Sequence, residues 1–135
     1  MPAGYSATPL HKKLGLKPDM KAISLNAPHE YSAWLDGTPV TPSVANSIAG
    51  KEDFIHLFTT SRDELLKTAQ AAFEKMARDG MLWISWPKKA SKVPTEVTED
   101  VIRELCLPLG LVDVKVCAVS EVWSGLKLVI RKELR

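Results

Sequence analysis

The stretch that decides the fold is "DFIHLFTTSRDELLKTAQAAFEKMARDGMLWISWPKK", residues 53–89. Its opening "DFIHLF" is apolar nearly throughout, which is the habit of a strand in a sheet covered on both faces. Ser61, with Glu64 three residues on, has the spacing of a helix N-terminal capping box. Leu65, Leu66, Ala69, Ala72, Phe73 and Met76 then recur at helical spacing, so one stripe of that helix faces a core. Asp79-Gly80 ends the helix, and "MLWISW" (81–86) is a second buried strand. A strand, a core-facing helix and another buried strand in succession make the unit from which mainly parallel sheets are built.

Working outward, the same alternation continues. Upstream, "KAISLN" (21–26) is a buried strand. "APHEYSAWLDG" (27–37) is a helix, with Pro28 suited to its first position and Gly37 to its stop. Residues 38–50, rich in Thr, Pro, Ser and Gly, are expected as loop. Residues 1–18 are expected as a loosely packed arm, in which "TPLHKKLGL" supplies a turn or two of helix closed by Gly15. Downstream, Thr98 starts a helix with Glu99 and Asp100 in its first turn. Val101, Ile102, Leu105 and Cys106 face inward, and Pro108-Leu109-Gly110 stops it. "VDVKVCAV" (112–119) alternates as a half-exposed strand near a sheet edge, and "LKLVIRK" (126–132) returns beside it after a short turn. The reading is a single α/β domain over residues 1–135, Rossmann-like and three-layered. Its sheet is mainly parallel, of about five strands, with an antiparallel C-terminal hairpin and three main helices.

Composition narrows the function classes. A chain of 135 residues supports one core. A formal net charge of +2 argues against a dedicated nucleic-acid binder. No apolar run approaches the roughly 18 residues that span a bilayer. "MPAGYSATPLHKKLGLKP" lacks the apolar segment of a signal peptide, so the cytoplasm is the expected location. Cys106 and Cys117 lie in apolar segments without a C-x-x-C spacing and read as buried thiols. His11, His29 and His56 have no metal-ligand spacing with them, so no metal is expected.

Open parallel sheets bind ligands beyond the carboxyl ends of their strands. Here those ends are Asn26-Ala27-Pro28, Thr59-Thr60-Ser61-Arg62 and Trp86-Pro87-Lys88-Lys89, with Glu121–Ser124 of the hairpin as a possible border. The candidate crevice is therefore Asn26, His29, Thr59, Arg62, Trp86, Lys88, Lys89 and Trp123. Each has a structural alternative. Asn26 either orients a ligand or caps the next helix. His29 is an exposed helix-start residue or a site residue. Lys88, Lys89 and Lys92 form either a solvated loop or a phosphate contact, and Trp86 could stack on a base. His56, mid-strand, reads as a neutral, hydrogen-bonded core histidine. The serines lack G-x-S-x-G, and no catalytic residue is assigned. "NAPHEY" follows the first strand where a dinucleotide site needs G-x-G-x-x-G, and no G-x-x-x-x-G-K-[ST] occurs. Pro28 removes an amide donor. Glu30, Asp63, Glu64, Glu99 and Asp100 in the helices' first turns repel phosphate. A conventional NAD, FAD or ATP site is not expected, and no cofactor is assigned.

The blocks "GYSATPLHKKLGLKP", "LNAP", "DFIHLF", "MLWISWPKKASKV", "TEDVIRE" and "LPLGLVDVKVCAVSEVWSGLKLVIRK" together resemble the bacterial family catalogued as domain of unknown function 3052. More distantly, the layout resembles a shortened class I methyltransferase, in which an antiparallel last strand inserts beside the parallel ones. That resemblance implies a glycine-rich loop after the first strand and an acid at the end of the second to hold S-adenosylmethionine. Here the loop is "NAPHE", and no acid-ended strand is expected before "DFIHLF". The expected function is a non-catalytic domain that binds a small ligand or a protein partner on a degenerate methyltransferase-like scaffold. The alternatives are an unorthodox S-adenosylmethionine- or nucleotide-using enzyme and, third, weak nucleic-acid binding through Lys88–Lys92. Homodimerisation through the edge hairpin is left open.

Overall fold

The structure is a computed structural model, and it describes residues 8–135. One six-stranded sheet organises it: β1 (Ala22–Leu25), β2 (Ser43–Ala45), β3 (Phe54–Phe58), β4 (Met81–Pro87), β5 (Leu111–Ala118) and β6 (Trp123–Ile130), in the order β2-β1-β3-β4-β6-β5. The first four are mutually parallel, and β6 runs antiparallel between β4 and β5. The expected α/β class, parallel sheet and antiparallel C-terminal hairpin are all present.

The alternation of side chains along each strand splits the core in two. Ile23, Leu25, Ile55, Leu57, Leu82 and Ile84 face one side, where α3 (Arg62–Lys75) and α4 (Glu99–Cys106) cover them with Leu65, Ala69, Ala72, Ile102 and Cys106. Ala22, Phe54, Phe58 and Trp83 face the other side, covered by α1 (Leu10–Leu14) and α2 (Tyr31–Trp34). Both capping predictions hold at the backbone. Ser61 Oγ accepts from the Glu64 amide at 3.1 Å, and Thr98 Oγ1 accepts from the Val101 amide at 3.2 Å.

Three local expectations change. The sheet has a sixth strand, β2, within the stretch expected as loop. Val44 is 88% exposed and only Ala45 packs against the core, so the strand joins mainly by backbone pairing and carries no signal that periodicity can detect. The helix expected between Pro28 and Gly37 is a single turn, without a capping side chain at Glu30. Residues 8–18 are not a loose arm; the remainder of that expectation, residues 1–7, lies outside the described residues. Leu14 and Leu16 are buried, and Trp83 Nε1 donates to the Leu14 carbonyl at 3.0 Å. Gly15, at φ +81°, lets the chain leave α1 and enter the core.

Gly80 sets how closely α3 returns to β4. A Cβ there would lie 2.8 Å from the Glu52 carbonyl oxygen and 2.9 Å from that of Ala77, both rigid backbone atoms. Gly80→Ala is expected to cost about 2 kcal/mol by forcing the turn apart. A urea midpoint equal to that of wild type would show that the turn relaxes freely. Among the described residues no helix is long and apolar enough to cross a membrane.

Candidate functional site

The carboxyl ends of β1, β3 and β4 form the rim where a ligand of this fold is expected. A carboxylate from α3 occupies the gap between the first two. The reciprocal half of the capping box is not made, because the Ser61 amide is bound by Thr59 Oγ1 at 3.0 Å. Glu64 is thereby released to reach across the rim. Its Oε1 accepts from Thr59 Oγ1 at 2.6 Å and its Oε2 from Asn26 Nδ2 at 2.9 Å. Asn26 sits at φ +60°, a left-handed conformation that Asn tolerates, and this turns its amide towards α3. Where an anionic ligand would meet the first amides of α3, the protein's own anion is already bonded.

The other expected site residues scatter. His29 is exposed, with Nδ1 3.2 Å from its neighbour Glu30. The Arg62 amide donates to Glu96 Oε1 at 3.0 Å, and its guanidinium pairs with Glu104 on α4. Trp86 is buried in the α3–α4 side of the core. The Lys88 amide extends the β4–β6 pairing by donating to the Val122 carbonyl at 2.7 Å, while Lys89 is exposed. Trp123 meets Phe58 edge-on, with ring centroids 5.1 Å apart. Asn26 and Thr59 are thus brought together, through Glu64. Trp86 and Lys89 border a separate cleft of about 670 Å³ with Val93, Thr95 and Thr98, and Asp100 at the start of α4 also lines it.

The larger cleft, of about 740 Å³, contains none of the eight candidate crevice residues, although Glu121 and Val122 of the expected hairpin border line it. It lies between α1, α2 and the β5–β6 turn, and its lining includes Leu10, Lys13, Trp34, Asp36, Ser120 and Glu121. The turn wall is rigid, since Ser120 Oγ accepts from the amides of Val122 and Trp123 at 3.2 and 3.1 Å. Residue spacing carries no signal for this cleft, because its walls come from three distant segments. Trp34, a large half-buried ring on a one-turn helix, and the hairpin border at Glu121 and Val122 are its sequence hints.

A buried polar row links α2 to β3 and β4. Tyr31 Oη lies 2.7 Å from His56 Nδ1, and His56 Nε2 lies 2.7 Å from Ser85 Oγ. Burial pushes the His56 pKa down to about 3 and the Tyr31 pKa well above the ordinary phenol range. Both groups are therefore neutral, as read for His56 from sequence. His56 and Ser85 are wholly buried, so no substrate reaches a Ser–His pair that otherwise has the spacing of a nucleophile and its base. Burial also pushes the Cys106 thiol up to about 12 and raises that of Cys117, so neither is a ready thiolate. Among the described residues no group of three or more His, Cys, Asp or Glu side chains could hold a metal ion.

No family model matches the chain, and no curated protein matches its sequence. Solved structures match its fold. A ribosomal protein L11 methylase from Lactobacillus delbrueckii subsp. bulgaricus is 12% identical, with a TM-score of 0.57 over 90% of this chain and 75% of that one. An S-adenosylmethionine (SAM)-dependent methyltransferase from Aquifex aeolicus is 18% identical, with a TM-score of 0.56 over 88% of this chain and 86% of that one. LepI, solved in complex with SAM, is 14% identical, with a TM-score of 0.55 over 92% of this chain; the chain spans 47% of LepI. At these identities the likeness is one of fold. The chain has the mixed α/β Rossmann-like scaffold of SAM-dependent methyltransferases.

Proposed function

We propose that this chain is a non-catalytic small-ligand-binding domain on a degenerate methyltransferase-like scaffold, with its ligand in the cleft between α1, α2 and the β5–β6 turn. The observation that carries this reading is the Glu64 bridge to Asn26 and Thr59, which fills the strand-end position with a protein carboxylate. The absence of glycine from "NAPHEY" supports it, as does β2, which ends at Ala45 before Asn46 without an acid. The resemblance to domain of unknown function 3052 accords with this reading and adds no activity to it. Two unpaired cysteines suit a cytoplasmic location.

A second reading, a SAM-using enzyme, draws on the fold relatives that are methyltransferases or were solved with SAM. Thermal unfolding with and without SAM and S-adenosylhomocysteine separates the two. A ligand at 100 times its dissociation constant adds about 2.7 kcal/mol. No shift is expected in wild type at millimolar ligand. Transfer of a methyl group would establish the enzyme reading instead, whereas a shift that disappears in Trp34→Ala without any transfer would make SAM the ligand of the cleft. Glu64→Gln keeps the shape of the bridge and removes its charge. If it alone confers SAM binding, the carboxylate is what excludes the cofactor.

A further inference from the structure

Lys115 and Lys127 stand directly opposite each other across the β5–β6 pair. Like charges in that position repel and weaken a sheet. Two more cations join them. Lys115 Nζ donates to the Lys13 carbonyl at 2.9 Å, which draws the end of α1 onto this face. Lys17, just beyond α1, lies near enough to act on Lys127. The half-buried Lys127 ammonium is pushed down by burial, and further by Lys115 and Lys17. None of the four lysines pairs with a carboxylate among the described residues. Elsewhere on the surface Arg62 pairs with Glu104, Lys67 with Asp63, and Arg103 with Glu99, Asp100 and Asp113. These four lysines thus gather on one face, and the Lys115–Lys127 opposition carries a cost in sheet stability that a purely solvating role does not require.

The geometry also selects the ligand. The cluster meets the carbonyl end of α1, not an amide end, so it offers no cradle for a single phosphate. It offers point charges on flexible stems, spread over two strands and a helix end, which suits several phosphates in a row. We propose that Lys13, Lys17, Lys115 and Lys127 form a binding site for a polyphosphate anion, either a nucleic-acid backbone or a small polyphosphate. Lys13 also lines the ligand cleft, whereas Lys115 and Lys127 do not, so variants at Lys115 and Lys127 test this site separately from the function proposed above.

Binding of a labelled single-stranded oligonucleotide of about 12 nucleotides and of tripolyphosphate to the full chain tests it, with Lys115→Gln/Lys127→Gln and the control Lys88→Gln/Lys89→Gln. Wild type is expected to bind at low salt, with log K falling against log salt at a slope near −2 to −3 for three or four strand phosphates. The Lys115/Lys127 variant is expected to bind about 10-fold more weakly, with a shallower slope, and the control to match wild type. Without ligand, that variant is expected to melt higher than wild type at low salt. Should it fail to fold, Lys17→Glu on the exposed rim gives the same binding readout. Binding of the oligonucleotide alone assigns the site to nucleic acid, and binding of tripolyphosphate alone assigns it to small polyphosphates. Binding of neither, or equal binding by the variants, overturns the proposal.

Discussion

Acidification from neutrality to about pH 4 is expected to remove about 3 kcal/mol of folding stability through His56 alone. The ring is wholly buried between Tyr31, Phe58 and Trp83, and burial holds its pKa near 3, well below the ordinary value of 6.5. Above the ordinary value the ring is neutral in both states, and the stability it supports is fully present. Below that value the unfolded chain takes up a proton that the folded chain refuses. Stability therefore falls as pH drops, at about 1.4 kcal/mol per pH unit, until the folded-state pKa is reached. The hydrogen bonds do not rescue the charged form. A protonated ring needs two acceptors, and the Tyr31 and Ser85 hydroxyls would both have to supply them inside an apolar shell. Denaturant unfolding of wild type and His56→Phe between about pH 7 and pH 4 measures the effect. The variant starts less stable, because two buried hydroxyls lose a partner, but it should lack this part of the pH slope. Parallel pH profiles for the two proteins would show that other groups drive acid unfolding.

Trp83→Ala is expected to cost about 3–5 kcal/mol, a large share of the 5–15 kcal/mol that holds a domain of this size. Trp83 is a fully buried side chain at the middle of β4, on the face covered by α1 and α2. That cover is thin, because α1 has five residues and α2 four, so little packing remains to close the cavity. The indole also holds the N-terminal segment through its bond to the Leu14 carbonyl. Gly125 is bare because a Cβ there would lie 3.2 Å from the Trp83 ring and 3.0 Å from Val119, so the strand beside it is shaped around the indole. Trp83→Phe, which keeps most of the volume and loses the bond, should fall between wild type and the alanine variant. A loss below about 1 kcal/mol for Trp83→Ala would mean that the N-terminal segment packs independently of it.

The sequence by itself determined the architecture. Apolar runs at residues 54–58 and 81–86, separated by a capped amphipathic helix, leave one economical arrangement: parallel strands covered on both faces. The alternating "VDVKVCAV" segment does lie at the sheet edge, but its burial does not follow the alternation: Val114 and Val116 are exposed along with Lys115, because no element among the described residues covers the middle of the edge strand. Strand β2 escaped because its three residues pair mainly through backbone atoms, which every residue carries. Only the tertiary structure decided what the strand ends do. Glu64 reads as half of a local capping box, yet its carboxylate bonds Asn26, thirty-eight residues away, because the parallel pairing of β1 with β3 brings those ends together. The four lysines from positions 13 to 127 are unremarkable in order along the chain, and the net charge conceals them. They become one positive face when the register sets Lys115 against Lys127 and α1 lies alongside. Hydrophobic periodicity is written in neighbours along the chain, whereas clefts and charge clusters depend on distances between segments that only the folded sheet sets.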